Sequence, residues 1–396
     1  MEKRTGIFSS GIIWFGVAIS VSEIEAGIEI GTASSAYWLP LILGHVLGGL
    51  LLFWVGLIGA RVRRNAMETT ASAYGTIGSK FFAFLNLMQL LAWVAVLNAQ
   101  GALALAGLDL PISFPVTCGL LALLIAIWVF VGLRRSAKVA TVVIAVLSVL
   151  LAVMTVKLFN MDVTVATASV SGSSLTFWNV FEISIAMPIS WLPVISDYTK
   201  DAEKPVPATA VSAVSYTIAS LWMYFIGVGI AGLGVDGSIA KAILLAGFGI
   251  PGILIVVLST VTTNFLAANS AGESAKAVVS KLNPKITGVV VCALSAVIAA
   301  SGIMEHYIEF LYLIAAVFAP MAAVLLVSFF LAKKRSSGIG SCVWNVFSWL
   351  AGFAVYEVAS HQESVFLGPT LLAILVSAAV ASLQLGWSRV RYGRTP

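Results

Sequence analysis

The chain has 396 residues, 60% of them hydrophobic and only 10% charged, with a formal net charge of +5. Soluble domains carry about 25% charged residues, so this balance excludes an ordinary soluble enzyme or binding module and marks a chain that crosses a membrane many times. The surplus of cations is not a nucleic-acid footprint, because Lys and Arg sit in short stretches between apolar runs.

Runs of about 20 apolar residues, each enough to cross a hydrocarbon core of about 30 Å, recur along the whole length. They centre on 10–33, 38–60, 81–106, 115–133, 138–158, 176–197, 208–233, 248–272, 286–303, 307–332, 341–359 and 367–387. The expectation is an all-α polytopic membrane protein of twelve transmembrane helices, with residues 1–396 forming one transmembrane domain. Basic residues precede the first run as in a signal peptide. No small-residue cleavage site follows, and the run continues past Gly27, so it reads as a retained first helix. With the N-terminus inside, only Lys157 and Lys241 of the 22 Lys and Arg fall outside. That split predicts a multi-pass protein of the plasma (inner) membrane with both termini cytoplasmic. Cys118, Cys292 and Cys342 lie in separate spans without metal-ligand spacing and read as packing residues.

The first span contains "ISVSEIEAGIEIG", Ile19 to Gly31, with three carboxylates in a greasy setting. A break near Ser20–Ser22 would start a new helix there, its positive end facing the membrane midplane. Two capping registers are open, Ser22 with Glu25 and Ser20 with Glu23. Glu23 and Glu25 point about 200° apart on a helix, so one site does not use both. Position favours Glu23 as a substrate ligand and Glu25 as a cap, with Glu29 solvated in an outer vestibule. His45, alone in span two, reads as an interhelical donor more readily than as a proton carrier.

The sixth span, "EISIAMPISWLPVISDYTK", holds Pro188 and Pro193. Proline removes a backbone donor and clashes with the preceding turn, so this span must kink or unwind, with Met187–Trp191 as the expected unwound segment. Exposed backbone at membrane depth survives only where protein or a water-filled cavity surrounds it. Spans one and six are corresponding members of two five-helix halves, and an odd number per half inverts their orientation. Paired breaks of this kind point to an inverted-repeat transporter with a midplane site. The halves are 10–158 and 176–332, with two additional helices at 341–387. Glu182 is expected to gate the outer vestibule or pair locally, and Asp197 and Thr199 to cap a helix or hold an inner gate. Glu305, Glu309, Glu357 and Glu363 lie near span ends and read as solvated. The chain carries no Walker loop, GxSxG or HExxH, and three scattered histidines supply no intramembrane enzyme site. A channel would not require two broken helices in register.

Several motifs carry a family resemblance. These are "WFGVAIS…EAG" in span one, "AYGTIGSKFFAFLNLMQLLAW" leading into span three, "SDYTK" after span six and "LSTVTTNFLAANS" in span eight. Over about residues 8–335 the chain resembles family 1 of the nucleobase:cation symporters, which carry cytosine, purines, hydantoins and related heterocycles. "MPISWLPVISDYT" with a carboxylate in span one looks most like the hydroxymethylpyrimidine (thiamine precursor) branch. The resemblance implies a LeuT-like five-plus-five inverted repeat with broken helices 1 and 6, alternating access, and a cation between spans one and eight.

Carried over by position, the cation would take the carbonyls of Gly16, Ile19 and Ser259 and the hydroxyls of Thr262 and Thr263. A small hard cation favours such a set of neutral oxygens, although helical threonines also bond back to their own i−4 carbonyls. Sodium is the preferred coupling ion, and Glu23 leaves proton coupling open; no other cofactor is implied. For the substrate, Trp93 matches the family's stacking tryptophan, and Gln89 shares its face four residues earlier. Met187, Ser190 and Trp191 would form the opposite wall, with Trp191 stacking because relatives carry an aromatic where this chain has Pro188. Ser20, Glu23, Asn264 and Asn269 complete the substrate set. Each amide reads equally as an interhelical hydrogen bond worth about 0.6 kcal/mol. The implied partners are a small heterocycle and the lipid bilayer, with no nucleic acid and no obligate protein. Cytosine, a purine, allantoin or an amino acid on the same fold is the alternative cargo.

Overall fold

The computed structural model describes residues 4–33, 37–107, 111–160, 175–232, 249–332, 339–362 and 366–392. Lys3, Lys241, Lys333, Lys334, Arg335, Glu363 and Arg394, assigned above to loops and ends, lie outside them. The first expected span is two helices, α1 (Ile7–Ala18) and α2 (Val21–Ala33), bent by 51° at Ile19 and Ser20. The Glu23 amide donates to Ser20 Oγ at 3.2 Å, so of the two capping registers the structure uses the one that begins at Ser20. The box is only half made, because the Glu23 carboxylate turns elsewhere.

Next come α3 (Trp38–Val62) and α4 (Ala66–Ala106). Hydropathy alone began the third span near 81, but α4 starts at a capping box in which Asn65 and Glu68 bond each other's backbone. It kinks at Gly75, whose φ of 69° suits a residue without a Cβ. Helices α5 (Phe114–Val131) and α6 (Leu133–Asn160) complete the first half.

The sixth span is also two helices, α7 (Phe177–Ser190) and α8 (Ile195–Thr199), joined by the turn Trp191–Val194. This corrects the expected unwinding over Met187–Trp191, since Met187, Pro188 and Ser190 stay helical. Pro188 is absorbed as an internal kink. The turn forms where Trp191 and Leu192 close tight i−3 bonds onto Pro188 and Ile189 and Pro193 has no N–H to offer.

Then follow α9 (Pro205–Ala231), α10 (Gly249–Val278) and α11 (Pro284–Ala300). A 3-10 turn, Ile303–His306, leads into α12 (Tyr307–Leu326), which ends in a π turn. Helices α13 (Ile339–Ser360) and α14 (Pro369–Tyr392) close the chain. Among the described residues eight helices are long and apolar enough to cross a membrane, and the bent α1–α2 pair makes a ninth. Two shorter apolar helices, Pro284–Ala300 and Pro369–Gln384, join them. The broken α7–α8 misses that test because its parts have 14 and 5 residues.

Small residues let backbones approach, as helix packing in lipid favours. A Cβ on Gly227 of α9 would lie 2.1 Å from the Ile24 carbonyl oxygen of α2, and one on Gly27 would lie 2.4 Å from that of Tyr224. Gly44 and Gly48 of α3 meet Ser184 and Pro188 of α7 in the same manner. The pieces α1–α2, α3, α7–α8 and α9 therefore form one close-packed group, while α10 packs mainly on α4, α5 and α11. At one end of the molecule, Thr5 pairs with the backbone of Asp201 and Glu203. Arg63 donates there to the carbonyls of Lys200 and Ala202. Asp197 caps α4 by accepting the Ala66 amide at 2.8 Å, and Thr199 donates to Gly56 O at 2.8 Å. Segments assigned by charge to one membrane face thus meet at one end.

Candidate substrate and cation site

Ending α1 at Ala18 leaves its last carbonyls without helical donors. Two hydroxyls of α10 meet them. Ser259 Oγ donates to Ile19 O at 3.0 Å, and Thr263 Oγ1 lies 3.3 Å from Val17 O and 3.5 Å from Ile19 O. All four residues are buried. Oxygens spaced this way can share a hard cation bound at about 2.3–2.6 Å, and the set carries no formal charge, so it fits a small monovalent cation. Thr262 departs from the expected set, donating back to Leu258 O and Ser259 O within its own helix. Ser259 brings its hydroxyl where its carbonyl was expected. Gly16 is close-packed on α6, where a Cβ would sit 2.4 Å from Ile144, and Val17 O joins the carbonyls that meet Thr263.

The second break leaves its own carbonyls free, and amides of α4 take them up. Gln89 Nε2 donates to Ser190 O at 3.1 Å, and Asn86 Nδ2 donates to Pro193 O at 3.1 Å and Ser274 Oγ at 2.8 Å. Asn86 was missed in the sequence, although it sits one turn before Gln89 on the same face and the two amides bond each other. Trp93, one turn beyond, stands edge-on to Phe310 at 5.2 Å and near Tyr307 at 6.4 Å. Tyr307, also missed, shares a 2.9 Å hydrogen bond with Ser22 and so ties this wall to α2. Trp191 sets its ring against Trp14 of α1 at 5.8 Å.

Among the buried polar atoms without a hydrogen-bond partner are Gln89 Oε1, Trp93 Nε1 and both side-chain atoms of Asn264, alongside atoms of Trp14, Asn98, Gln100, Trp128, Thr260 and Ser377. Each such group costs about 1–3 kcal/mol when left unpaired. Donors and acceptors together, beside an indole, match a flat ligand edge that carries both N–H and C=O or ring nitrogen.

No family model matches the chain. The cytosine permease of Escherichia coli K12 is 22% identical over 371 residues, covering 89% of this chain and 85% of the relative. That of E. coli O157:H7 is equally similar. Inward-facing Mhp1 superposes with a TM-score of 0.75 at 18% identity, over 98% of this chain and 92% of that one. Mhp1, a nucleobase-cation-symport-1 family transporter, in a closed conformation with bromovinylhydantoin bound gives 0.70 at 20% identity, over 98% and 94%. A sodium-coupled sialic acid symporter in a substrate-bound outward-open state gives 0.72 at 13%, over 97% and 90%. The chain is thus similar to cytosine permeases and to a nucleobase-cation-symport-1 family transporter. The fold is LeuT-like, the chain is a multi-pass membrane protein, and its relatives are permeases and transporters rather than enzymes.

Within this transporter fold the remaining expected ligands sort by what already occupies them. Glu23 is buried, and its carboxylate accepts from Tyr216 Oη at 2.9 Å and Ser220 Oγ at 2.6 Å on α9. Each oxygen is engaged by one hydroxyl of α9. Ser20 Oγ is used by the helix cap, and Ser190 Oγ donates to Met187 O at 2.6 Å inside α7. Met187 is a buried helical residue, and Asn269 lies against the Tyr198 hydroxyl. Glu182 does not pair locally. It accepts from both the amide and the hydroxyl of Thr370, capping α14 far along the chain. Trp93, Gln89 and Asn264 keep unfilled polar atoms, and Trp191 keeps its place on the turn.

Proposed function

We propose that the protein is a secondary active symporter that imports a small nitrogen heterocycle by alternating access, coupled to sodium, with hydroxymethylpyrimidine as its cargo. The orphaned atoms of Gln89, Trp93 and Asn264 carry this reading, because a heterocycle supplies the missing partners while its face stacks on Trp93. Stacking of a base on an aromatic is worth about 1–3 kcal/mol. The Val17, Ile19, Ser259 and Thr263 oxygens would hold sodium where α1 ends, so cation binding orders the break that lines the substrate site. The names of the relatives, cytosine permeases and a hydantoin-bound transporter, support a nucleobase-type cargo. The "MPISWLPVISDYT" stretch favours the hydroxymethylpyrimidine branch, and cytosine is the second reading because the curated relatives carry that name.

The close-packed group of α1–α2, α3, α7–α8 and α9, drawn from both repeats (10–158 and 176–332), would rock as one bundle against the scaffold helices about this site, with 341–387 as an added pair. The protein would lie in the inner membrane with both termini cytoplasmic. Counterflow in proteoliposomes tests the reading: labelled hydroxymethylpyrimidine should exchange saturably, with cytosine as a weaker competitor, and only with sodium present. No saturable exchange of either compound would overturn the cargo. Uptake indifferent to sodium but abolished by collapsing the pH gradient would move the coupling to protons.

A further inference from the structure

We propose that Glu23, Ser220 and His45 form a buried proton-holding site, separate from the sodium cradle, that is loaded and unloaded in each transport cycle. The proposal rests on the symporter reading. Its three groups come from three helices, α2, α9 and α3, and all are almost fully buried. Ser220 Oγ lies 2.6 Å from Glu23 Oε2 and 2.7 Å from His45 Nε2. On its far side, His45 Nδ1 lies 2.6 Å from Ser184 Oγ of α7 and 3.2 Å from Leu41 O. Ionisable residues at membrane depth are costly and commonly mark ion or proton pathways. Glu23 faces Tyr216 and Tyr224 on α9 and Tyr307 on α12, with Glu25 on its own helix. Phenols ordinarily titrate only near about 10, and the recorded partners of the Glu23 carboxylate are hydroxyls alone.

The hydrogen-bond directions follow from valence. A carboxylate only accepts, so Ser220 must give its single proton to Glu23 and accept from His45 Nε2–H. Adding one proton at His45 Nδ1, where Leu41 O and Ser184 Oγ can accept it, makes an imidazolium facing a carboxylate through one hydroxyl. A concerted shift then neutralises both. The Nε2–H bond breaks as that proton joins Ser220 Oγ, while the Ser220 O–H bond breaks as its proton joins Glu23 Oε2. The product is a carboxylic acid donating to Ser220, Ser220 donating to Nε2, and a neutral imidazole protonated at Nδ1. No heavy atom has to move, and one proton is held in either arrangement.

The site is tied to the transport cycle by its position. Glu23 lies in the first turn of α2, whose break carries Ile19 O, the carbonyl shared by Ser259 and Thr263. The adjacent Ser22 bonds Tyr307, which stands against Trp93. A cation bound at Ile19 and a proton held at Glu23 therefore act on the same short turn.

Infrared difference spectra of the protein in lipid nanodiscs across pH test the site without any substrate. A protonated-carboxyl band should titrate with a one-proton slope, vanish in Glu23→Gln, and move its midpoint by about one pH unit or more in His45→Gln and Ser220→Ala. Ser220→Thr, which keeps the hydroxyl, should restore the midpoint. An unchanged band in Glu23→Gln, or a native midpoint in Ser220→Ala, would overturn the proposal. Turnover is read with a pH dye trapped in proteoliposomes. Heterocycle uptake should acidify the lumen in wild type and not in Glu23→Gln, and uptake without acidification in wild type would sink cyclic loading. Failure to carry any heterocycle would count against the symporter reading, while the infrared band still decides the proton site.

Discussion

The α2–α9 seam and the α4–α10 contact use similar residues to opposite ends. In the seam the fully buried polar side chains among the described residues are paired. Glu23 takes two hydroxyls, Ser220 links it to His45, Tyr224 donates to Ile183 O, and glycines bring the backbones into contact. At the α4–α10 contact Gln89, Trp93 and Asn264 keep buried atoms that nothing satisfies. Protein interiors rarely leave such groups unpaired. A satisfied polar interface holds helices together as one body, and an unsatisfied one marks where a ligand completes the structure.

Breaking the seam should have the largest effect. Gly227→Leu would drive side-chain atoms into the Ile24 carbonyl, backbone against backbone, where neither can yield. Overpacking of this kind costs about 1–3 kcal/mol or more, so the variant should give little monodisperse protein in detergent. A native melting temperature for it would refute the tight seam. The α4–α10 contact should answer differently. Asn264→Leu removes an amide that has no partner, so the ligand-free protein should gain up to about 1–3 kcal/mol of stability. The same variant should lose heterocycle binding. A fall in both would make Asn264 a structural bond instead. The smallest and sharpest contrast lies in the cation cradle. Thr263→Ala should raise the sodium concentration for half-maximal uptake about tenfold, equivalent to about 1.4 kcal/mol. Thr262→Ala, whose hydroxyl bonds back to its own helix, should change it by less than about twofold. Equal effects would restore Thr262 as a ligand.

Both breaks were legible in the sequence, because prolines and clustered serines and carboxylates violate the local rules of a spanning helix. Their placement was less so. Proline at 188 looked like the point of unwinding, yet a helix can absorb one missing donor, and the turn came only where Pro193 followed. Trp93 was singled out through the family resemblance, and Gln89 because it shares the helical face of Trp93. Asn86 and Tyr307 escaped notice because their value depends on what they meet, Pro193 O and Ser22, on other helices. The Glu182 bond to Thr370 spans 188 residues, and no local pattern announces it.

Local composition alone determined that this chain lives in a bilayer, roughly where it crosses, and which two spans cannot be continuous helices. These follow from hydrophobic length and backbone donors, properties each segment carries by itself. Only the tertiary structure decided which of the buried polar groups are spoken for. It put the Glu23 carboxylate at the end of a hydrogen-bonded chain through Ser220 to His45, and it left the Asn264 amide without a partner. The physical reason is that a hydrogen bond needs two partners, and in this protein the second partner comes from a distant helix.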